Sequence, residues 1–276
     1  MQIPISRSQI DVDGTPASYL SAKTNGPAVL LLHGTYWSRV WLPVLGVLAK
    51  AGLRPVAVDL PGSGRSGGEL SLETATVPAL TAWVTRFVNC FQLEDPLLIA
   101  GHDIGGAIAQ RLLVTGAVSV RKLALVNSVT YDSWPVPAVA RFLDQANVAS
   151  TTAEEIVALR RKAVAGAITR PTSESELDDY VSPWREARVA RSWMALAGAA
   201  DPQYTLELLP ALRASDVPKL LVWGEDDVSQ KLHFAERFAD EIPMTKLVRI
   251  PKAGHIPMET DPDMVGHALA DFFLES

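Results

Sequence analysis

Short apolar runs alternate with longer helical patterns through most of this 276-residue chain, and this alternation constrains its fold more than any other feature. Parallel strands need a crossover between them, so alternating strands and helices are typical of a mostly parallel β-sheet with helices on both faces. Strands are predicted at residues 2–12, 17–22, 28–32, 54–59, 96–100, 121–126, 219–223 and 246–250, and helices at residues 37–51, 72–91, 104–115, 232–241 and 263–274.

The alternation is interrupted once, between residues 131 and 212. This stretch carries helical patterns broken by prolines, and no buried strand can be recognised in it. At roughly 150 residues per domain, the chain is slightly too short for two domains in series. We therefore predict one α/β core domain, formed by residues 1–130 and 213–276, and a helical cap inserted at residues 131–212.

Composition limits the kinds of protein and partner. Hydrophobic residues make up 48% of the chain, which is enough for a large core and excludes a disordered chain. The net charge of -6, without a basic run, argues against nucleic acid or an anionic membrane as partner. The single cysteine, Cys90, excludes an intrachain disulfide and a cysteine metal cluster.

The start of the chain lacks the apolar core of a signal peptide, and no stretch approaches the roughly 18 apolar residues of a membrane span. We therefore expect a cytoplasmic protein that does not bind a membrane. We also expect a monomer or homodimer that needs no cofactor and no metal.

A glycine-rich turn at residues 101–106, GHDIGG, follows a predicted strand and opens a predicted helix. A sharp turn of this kind holds its central residue in a strained conformation, and small neighbours prevent clashes with the adjoining strand and helix. It lifts the side chain of Asp103 to the carboxyl edge of the sheet, beside a helix N-terminus. The turn alone is also compatible with a structural role, so its interpretation depends on the residues that could join Asp103.

Two later strands end in residues that could act with Asp103. The segment VWGEDD at 222–227 places Asp227, or alternatively Asp226, after one strand. The segment PKAGH at 251–255 places His255 after the last strand. Because the carboxyl ends of parallel strands lie at one edge of a sheet, an aspartate, an acid and a histidine are predicted to meet there.

With the segment LLHG at residues 31–34, this combination resembles the α/β-hydrolase fold family over essentially the whole chain. The resemblance implies that Asp103 is the nucleophile and that His255 is the base. It further implies that Asp227 is the acid that orients His255.

The same resemblance implies how the developing negative charge is stabilised. The backbone N–H groups of Thr35 and Ile104 would form an oxyanion hole, and each such donor is typically worth about 10²–10³ in rate. His33, in the His-Gly pair, has a structural role in this family.

An aspartate at this turn, where most of the family has serine, indicates a different chemistry. A carboxylate is ordinarily ionised at neutral pH, and its attack on an sp³ carbon gives a stable ester. His255 then activates a water that hydrolyses the ester on Asp103. Epoxide hydrolases and the haloalkane and haloacetate dehalogenases share this mechanism, which implies a small apolar electrophile and water as substrates.

The residues expected at the leaving group favour an epoxide hydrolase, with a dehalogenase as the runner-up. Haloalkane dehalogenases usually have Trp after the nucleophile and often Asn after the His-Gly pair, where this chain has Ile104 and Thr35. Haloacetate dehalogenases use a cap histidine, and residues 131–212 contain none. Epoxide hydrolases use two cap tyrosines, and Met194 occupies one of those places. Candidates for contact with the substrate or leaving group are Tyr36, Trp37, Tyr180, Trp184, Trp193 and Tyr204.

Three other functions are compatible with this scaffold. The first is hydrolysis of an ester or lactone. The second is a lyase or cyclising enzyme in which Asp103 acts as a general base, which the missing tyrosine at position 194 favours. The third is a receptor that binds its ligand under the cap, and the complete set of nucleophile, acid and histidine argues against it.

Overall fold

The computed structural model describes residues 3–275, which form an eight-stranded β-sheet covered by helices. The strands are β1 (Ile5–Val12), β2 (Thr15–Ala22), β3 (Ala28–Leu32), β4 (Arg54–Val58), β5 (Leu97–Asp103), β6 (Val120–Ser128), β7 (Lys219–Gly224) and β8 (Thr245–Ile250). Their order in the sheet is β1-β2-β4-β3-β5-β6-β7-β8. The pairs β1–β2 and β2–β4 are antiparallel, and all other neighbours are parallel.

The helices belong to two groups, those that cover the sheet and those between β6 and β7. Short 3₁₀ turns occur at Ser38–Trp41, Arg141–Leu143 and Ser182–Arg185. Within residues 3–275, no helix is both long and apolar enough to cross a membrane. The α-helices are α1 (Leu42–Lys50), α2 (Val77–Phe91), α3 (Ile104–Thr115), α4 (Pro137–Ala140), α5 (Gln145–Ser150), α6 (Ala153–Ala167), α7 (Glu174–Val181), α8 (Ala187–Gly198), α9 (Gln203–Leu206), α10 (Leu209–Arg213), α11 (Leu232–Glu241), α12 (Pro257–Thr260) and α13 (Pro262–Leu274).

The central strands β3, β5 and β7 are buried along their whole length. Helices α1 and α13 pack against each other, and α2 packs against α3. Strands covered on both faces read as continuous apolar runs rather than as alternating patterns, which explains why these strands could be recognised in the sequence. The predicted α/β-hydrolase fold, with a mostly parallel sheet, is therefore confirmed.

The second strand of the opening hairpin begins closer to the turn than predicted. The predicted strands were residues 2–12 and 17–22, and Gln2 lies outside the described residues. The second strand begins at Thr15, because the turn at Asp13 and Gly14 allows Val12 and Thr15 to pair directly. Gly14 has a φ of 81°, which glycine adopts without steric cost.

Helix α2 is shorter than predicted, because it begins at Val77 rather than at residue 72. The side chain of Thr76 accepts a hydrogen bond from the backbone N–H of Ala79, at 3.2 Å, and so caps the first turn. Pro78 lies within that turn, where its missing N–H costs nothing.

Between β6 and β7 the chain contains only helices, α4 to α10, and turns. We call residues 131–212 the helical segment. Its side chains Arg160 and Trp193 line a cavity together with Asp103, so the segment covers the carboxyl edge of the sheet. The division into a core domain, residues 1–130 and 213–276, and this inserted cap stays a prediction.

Candidate active site

Asp103 lies at the turn between β5 and α3, in a backbone conformation that side chains rarely adopt. Its φ is 55° and its ψ is −126°. Strain of this kind is typical of a nucleophile held on a strand-to-helix turn. The turn requires glycine two positions earlier, since a Cβ on Gly101 would lie 2.4 Å from the carbonyl oxygen of Gly105.

The carboxylate of Asp103 is buried and held through one of its two oxygens. Its Oδ2 accepts hydrogen bonds from the backbone N–H of Thr35, at 2.8 Å, and from the Thr35 hydroxyl, at 2.7 Å. The Thr35 loop approaches this closely because residue 34 is glycine: a Cβ on Gly34 would lie 2.6 Å from Oδ2. Among residues 3–275, no group donates a hydrogen bond to Oδ1.

The structure brings only one of the two predicted oxyanion donors into contact with Asp103. The N–H of Thr35 donates to Oδ2, whereas that of Ile104 makes no hydrogen bond to the Asp103 side chain. The hydroxyl of Thr35 is an additional donor that the sequence analysis missed. Both backbone groups remain proposals as the oxyanion hole of a reaction intermediate.

His255 lies between Asp103 and Asp227. Its Nδ1 is 2.8 Å from Oδ2 of Asp227, and its Nε2 is 4.0 Å from Oδ2 of Asp103. Because the Asp227 carboxylate only accepts hydrogen bonds, Nδ1 carries the proton and Nε2 is free to accept one. Asp226, the alternative acid, is exposed and is not the partner of His255.

The Asp227 carboxylate is saturated with hydrogen bonds. Its Oδ1 accepts from the backbone N–H groups of Ser229, at 2.7 Å, and Gln230, at 3.0 Å. Its Oδ2 accepts from Nδ2 of Asn127, at 2.7 Å, in addition to His255. These four donors fix the orientation of the carboxylate and, through it, the imidazole ring.

Asp227 and His255 each shift the pKa of the other. Burial opposes the charge on Asp227, but His255 and the other hydrogen bonds outweigh it, so the pKa of this carboxyl is lowered. Burial likewise opposes protonation of His255, but the carboxylates of Asp227 and Asp103 outweigh it and raise its pKa above 6.5. A histidine that is oriented through Nδ1 and has a free Nε2 is suited to general-base catalysis.

A cavity of about 110 Å³ adjoins this group. A second cavity, of about 330 Å³, shares part of its wall, including Tyr36, Leu159 and His255. The residues that line the first cavity are Thr35, Tyr36, Asp103, Trp134, Val136, Ala138, Val139, Leu159, Arg160, Ala163, Trp193, Ser229, Gln230 and His255.

Three of the six predicted pocket residues lie at this cavity. Tyr36 and Trp193 line it directly. Trp184 lies next to it, with its ring 5.0 Å from the guanidinium carbon of Arg160. The indole Nε1 of Trp193 is buried and has no hydrogen-bond partner among residues 3–275.

The other three predicted pocket residues do not line the cavity. The indole of Trp37 donates to the backbone carbonyl of Tyr180, at 3.0 Å. The hydroxyl of Tyr180 donates to the carboxylate of Glu259, at 2.5 Å, because this buried acid needs donors. Tyr204 is half-buried and packs against the apolar core. Their predicted contact with the substrate is therefore not supported by their positions.

Asn127 is a site residue that the sequence analysis missed. It lies near the end of β6, donates to Asp227 and accepts a hydrogen bond from the backbone N–H of Gly224, at 2.9 Å. The signal was a polar side chain at the carboxyl end of a buried strand, which is the pattern that identified the other site residues.

Arg160 is the second missed residue. It lies on the buried face of α6, with Ile156, Val164 and Ala167 at helical spacing. An arginine at a position of an apolar stripe was the available signal. Its side chain is 4% exposed and lines the cavity with Asp103.

The remaining buried histidines have structural contacts. Nε2 of His33 accepts from the backbone N–H of Leu60, at 2.9 Å. Nε2 of His102 lies 2.8 Å from the carbonyl oxygen of His255 and donates to it, and burial lowers the pKa of His102 to about 4. Within residues 3–275, no three His, Cys, Asp or Glu side chains are arranged to hold a metal ion.

The profile of the Alpha/beta hydrolase family matches residues 29–268 of the chain. The chain therefore belongs to the Alpha/beta hydrolase family, and it is a hydrolase. In a solved structure, that of an alpha/beta hydrolase fold protein from Burkholderia ambifaria, the same fold covers 98% of this chain and 100% of that one. The TM-score is 0.81 and the sequence identity is 24%.

Two similar proteins carry the name of a haloalkane dehalogenase or of an epoxide hydrolase. A haloalkane dehalogenase from Mesorhizobium japonicum is 26% identical over 98% of this chain and 91% of its own length. The bifunctional epoxide hydrolase 2 of Sus scrofa is 32% identical, but over 40% of this chain and 20% of its own length. The family thus includes members of the two kinds that the sequence resemblance implied.

Proposed function

We propose that this hydrolase cleaves a bond between an sp³ carbon and a leaving group through an ester formed on Asp103. The observation that carries the proposal is the state of the carboxylate. Its Oδ2 is held by two hydrogen bonds from Thr35, while Oδ1 accepts none from residues 3–275. One oxygen is thus fixed and the other is available to attack a carbon atom in the cavity.

The reaction proceeds in two steps. First, Oδ1 of Asp103 forms a bond to carbon, and the leaving group departs with the electron pair of the broken bond. Then Nε2 of His255 accepts a proton from water, and the resulting hydroxide attacks the ester carbonyl carbon. The Thr35 donors stabilise the negative charge on Oδ2. The alcohol leaves with the proton from His255, and the carboxyl group of Asp103 then releases its own proton to water, which restores the carboxylate.

A halide is the leaving group that the cavity wall supports best. A halide departs as a stable anion and needs hydrogen-bond donors rather than a proton. Among residues 3–275, the indole N–H of Trp193 in this wall has no hydrogen-bond partner, so it is available to donate to a halide. The similarity to haloalkane dehalogenases over nearly the whole chain points in the same direction.

Epoxide opening is the second candidate, and Tyr36 is the observation that favours it. An epoxide opens to an alkoxide, which must receive a proton, and neither Tyr180 nor Tyr204 lines the cavity. Tyr36 does line it. Burial raises the pKa of its phenol to about 12, with Arg160 acting in the opposite direction. A phenol that stays protonated at neutral pH can still protonate a more basic alkoxide.

A single turnover in ¹⁸O-labelled water tests the covalent step. With a halogenated or epoxide substrate, label should enter the carboxylate of Asp103, because water attacks its carbonyl carbon. Product formation without this label would overturn the proposal and favour Asp103 as a general base.

Two variants complete the test. His255→Ala should accumulate the ester, which is visible as a mass increase of the intact protein. Asp227→Asn should slow ester hydrolysis, whereas the matched change at the exposed neighbour, Asp226→Asn, should leave the rate unchanged. Equal effects of the two asparagine variants would contradict the assigned role of Asp227.

A further inference from the structure

Arg160 places a positive charge inside the wall of the cavity that holds Asp103 and His255. Its guanidinium carbon lies 4.6 Å from the ring centroid of Tyr36 and 5.0 Å from those of Trp184 and Trp193. Among residues 3–275 it forms no ion pair with a carboxylate. Aromatic faces compensate a buried charge only in part, and burial without a paired anion is costly.

The uncompensated atoms of Arg160 are its Nε and Nη2, which are buried and have no hydrogen-bond partner among residues 3–275. These two nitrogens form one edge of the guanidinium, with N–H bonds that point in parallel. That edge matches the two oxygens of a carboxylate and gives a bidentate pair.

In another arginine of this protein, the same two nitrogens bind a carboxylate. On the surface, Nε and Nη2 of Arg191 bind the two carboxylate oxygens of Glu69, at 2.6 and 2.9 Å. The corresponding edge of Arg160 is buried, and it has no hydrogen-bond acceptor among residues 3–275.

We propose that Arg160 binds a carboxylate of the substrate. The substrate class is then a small carboxylic acid that carries its leaving group on an sp³ carbon, rather than the uncharged apolar molecule predicted from the sequence. This inference rests on the proposed function, since it names the substrate of the Asp103 reaction.

Arg160 would also offset the repulsion between the Asp103 carboxylate and an anionic substrate. An anionic substrate is repelled by the nucleophilic carboxylate when it enters the cavity. A cation in the same wall offsets that repulsion and orients the substrate by its carboxylate end. A monatomic halide has one contact point and would use only part of the edge formed by Nε and Nη2.

Binding of an unreactive pair of molecules tests the inference without any turnover. Propionate has a carboxylate and no leaving group, and propionamide has nearly the same shape without the charge. Binding to the whole protein is measured by calorimetry and by the fluorescence of the tryptophans beside Arg160. We expect propionate to bind about tenfold or more tightly than propionamide.

Arg160→Met should weaken propionate binding by about 10- to 100-fold. Arg160→Lys keeps the charge but loses the paired N–H groups. Its affinity for propionate should lie between that of the original protein and that of Arg160→Met. The matched control is Arg161→Met, the next residue of α6, which pairs with Asp178 at the surface and should not change binding. Circular dichroism confirms that each variant is folded.

Three results of these binding measurements would overturn the inference. The first is equal binding of propionate and propionamide, and the second is propionate binding that survives Arg160→Met. The third is binding of bromide through Arg160 with no binding of propionate, which would assign the residue to the leaving group. Because these measurements need no reaction, failure of the ¹⁸O experiment would leave them interpretable. Conversely, an enzyme that turns over uncharged substrates but no carboxylic acids would refute the proposed binding of a carboxylate by Arg160. The proposed ester on Asp103 would still stand.

Discussion

Two buried charged residues lie where the helical segment meets the core, and their surroundings are opposite. Glu259, which is 4% exposed, accepts hydrogen bonds from Arg39, at 2.7 Å, from the Tyr180 hydroxyl, at 2.5 Å, and from Arg170. Arg160 is equally buried, but it has aromatic rings around it and forms no ion pair with an acid of residues 3–275. We refer to Glu259 with its three donors as the Glu259 cluster.

The difference separates a structural charge from one that is available to a ligand. A fully satisfied polar cluster specifies one arrangement of the chain and resists the loss of any member. In the Glu259 cluster, Tyr180 and Arg170 come from the helical segment, while Arg39 and Glu259 come from the core, so the cluster fastens one to the other. Within residues 3–275, Arg160 forms no ion pair with an acid, and it lines the same cavity as the nucleophile.

The largest expected effect is on the Glu259 cluster. Glu259→Gln removes the charge and leaves two arginines near a neutral group, so the free energy of unfolding should fall by about 3 kcal/mol. Denaturant unfolding measures it. The control Glu69→Gln removes an exposed partner of Arg191 and should have almost no effect. Similar losses for both variants would show that the cluster is not a special anchor.

At the cavity, the rate of ester hydrolysis should depend on pH, because His255 accepts a proton from water in that step. Hydrolysis of the ester requires neutral His255, so the rate should fall about tenfold per pH unit below the pKa of this histidine. In the free protein Asp103 helps to raise that pKa above 6.5. Esterification removes the charge of Asp103, so the acid limb of hydrolysis should lie below the pKa that NMR finds for the free protein.

The comparison requires the rate of hydrolysis in single turnovers and the NMR titration of His255 in the same buffer. An acid limb that coincides with the titration of the free protein would contradict a covalent ester on Asp103 during the slow step. A rate that does not change with pH would contradict the role of His255 as base.

Tyr180→Phe removes one donor from the Glu259 cluster, and the free energy of unfolding should fall by about 1 kcal/mol. The turnover rate should be unchanged, because the Tyr180 hydroxyl does not line the cavity. The matched change, Tyr36→Phe, removes the hydroxyl of a tyrosine that does line the cavity. A loss of turnover in Tyr180→Phe with full turnover in Tyr36→Phe would reverse the assignment of the two tyrosines.

The smallest expected effect on stability comes from Arg160→Met. Because this change removes a charge that is paired with no acid in the described part of the chain, the free energy of unfolding without ligand should stay within about 1 kcal/mol of the original value. Propionate should raise the thermal midpoint of the original protein and not that of the variant. A loss as large as that of Glu259→Gln would show that Arg160 is a structural charge after all.

The sequence predicted the core of the molecule because its information is local. Strand β3 and helices α3 and α11 have the predicted bounds, since the apolar pattern that predicts each of them lies within the segment itself. The turn at Asp103 was recognisable because its geometry requires small residues at fixed positions. Chain order along a parallel sheet then brought Asp227 and His255 to the same edge.

The helical segment was predicted less completely. Its helical character followed from composition, but the side chains that reach the cavity did not. Tyr180 was expected there, and it instead satisfies Glu259, a residue 79 positions away in the chain. Arg160 was overlooked because an arginine on a helix ordinarily lies at the surface, as Arg161 does.

The sequence by itself determined the family, the parallel sheet and the residue that occupies the nucleophile turn, because each depends on patterns within short segments. Only the tertiary structure decided which residues face Asp103 across the cavity. That choice depends on how α6, α7 and α8 pack over the sheet edge, and this packing is set by contacts between residues far apart in the chain. The burial of Arg160 in the cavity of the nucleophile is the result of that packing.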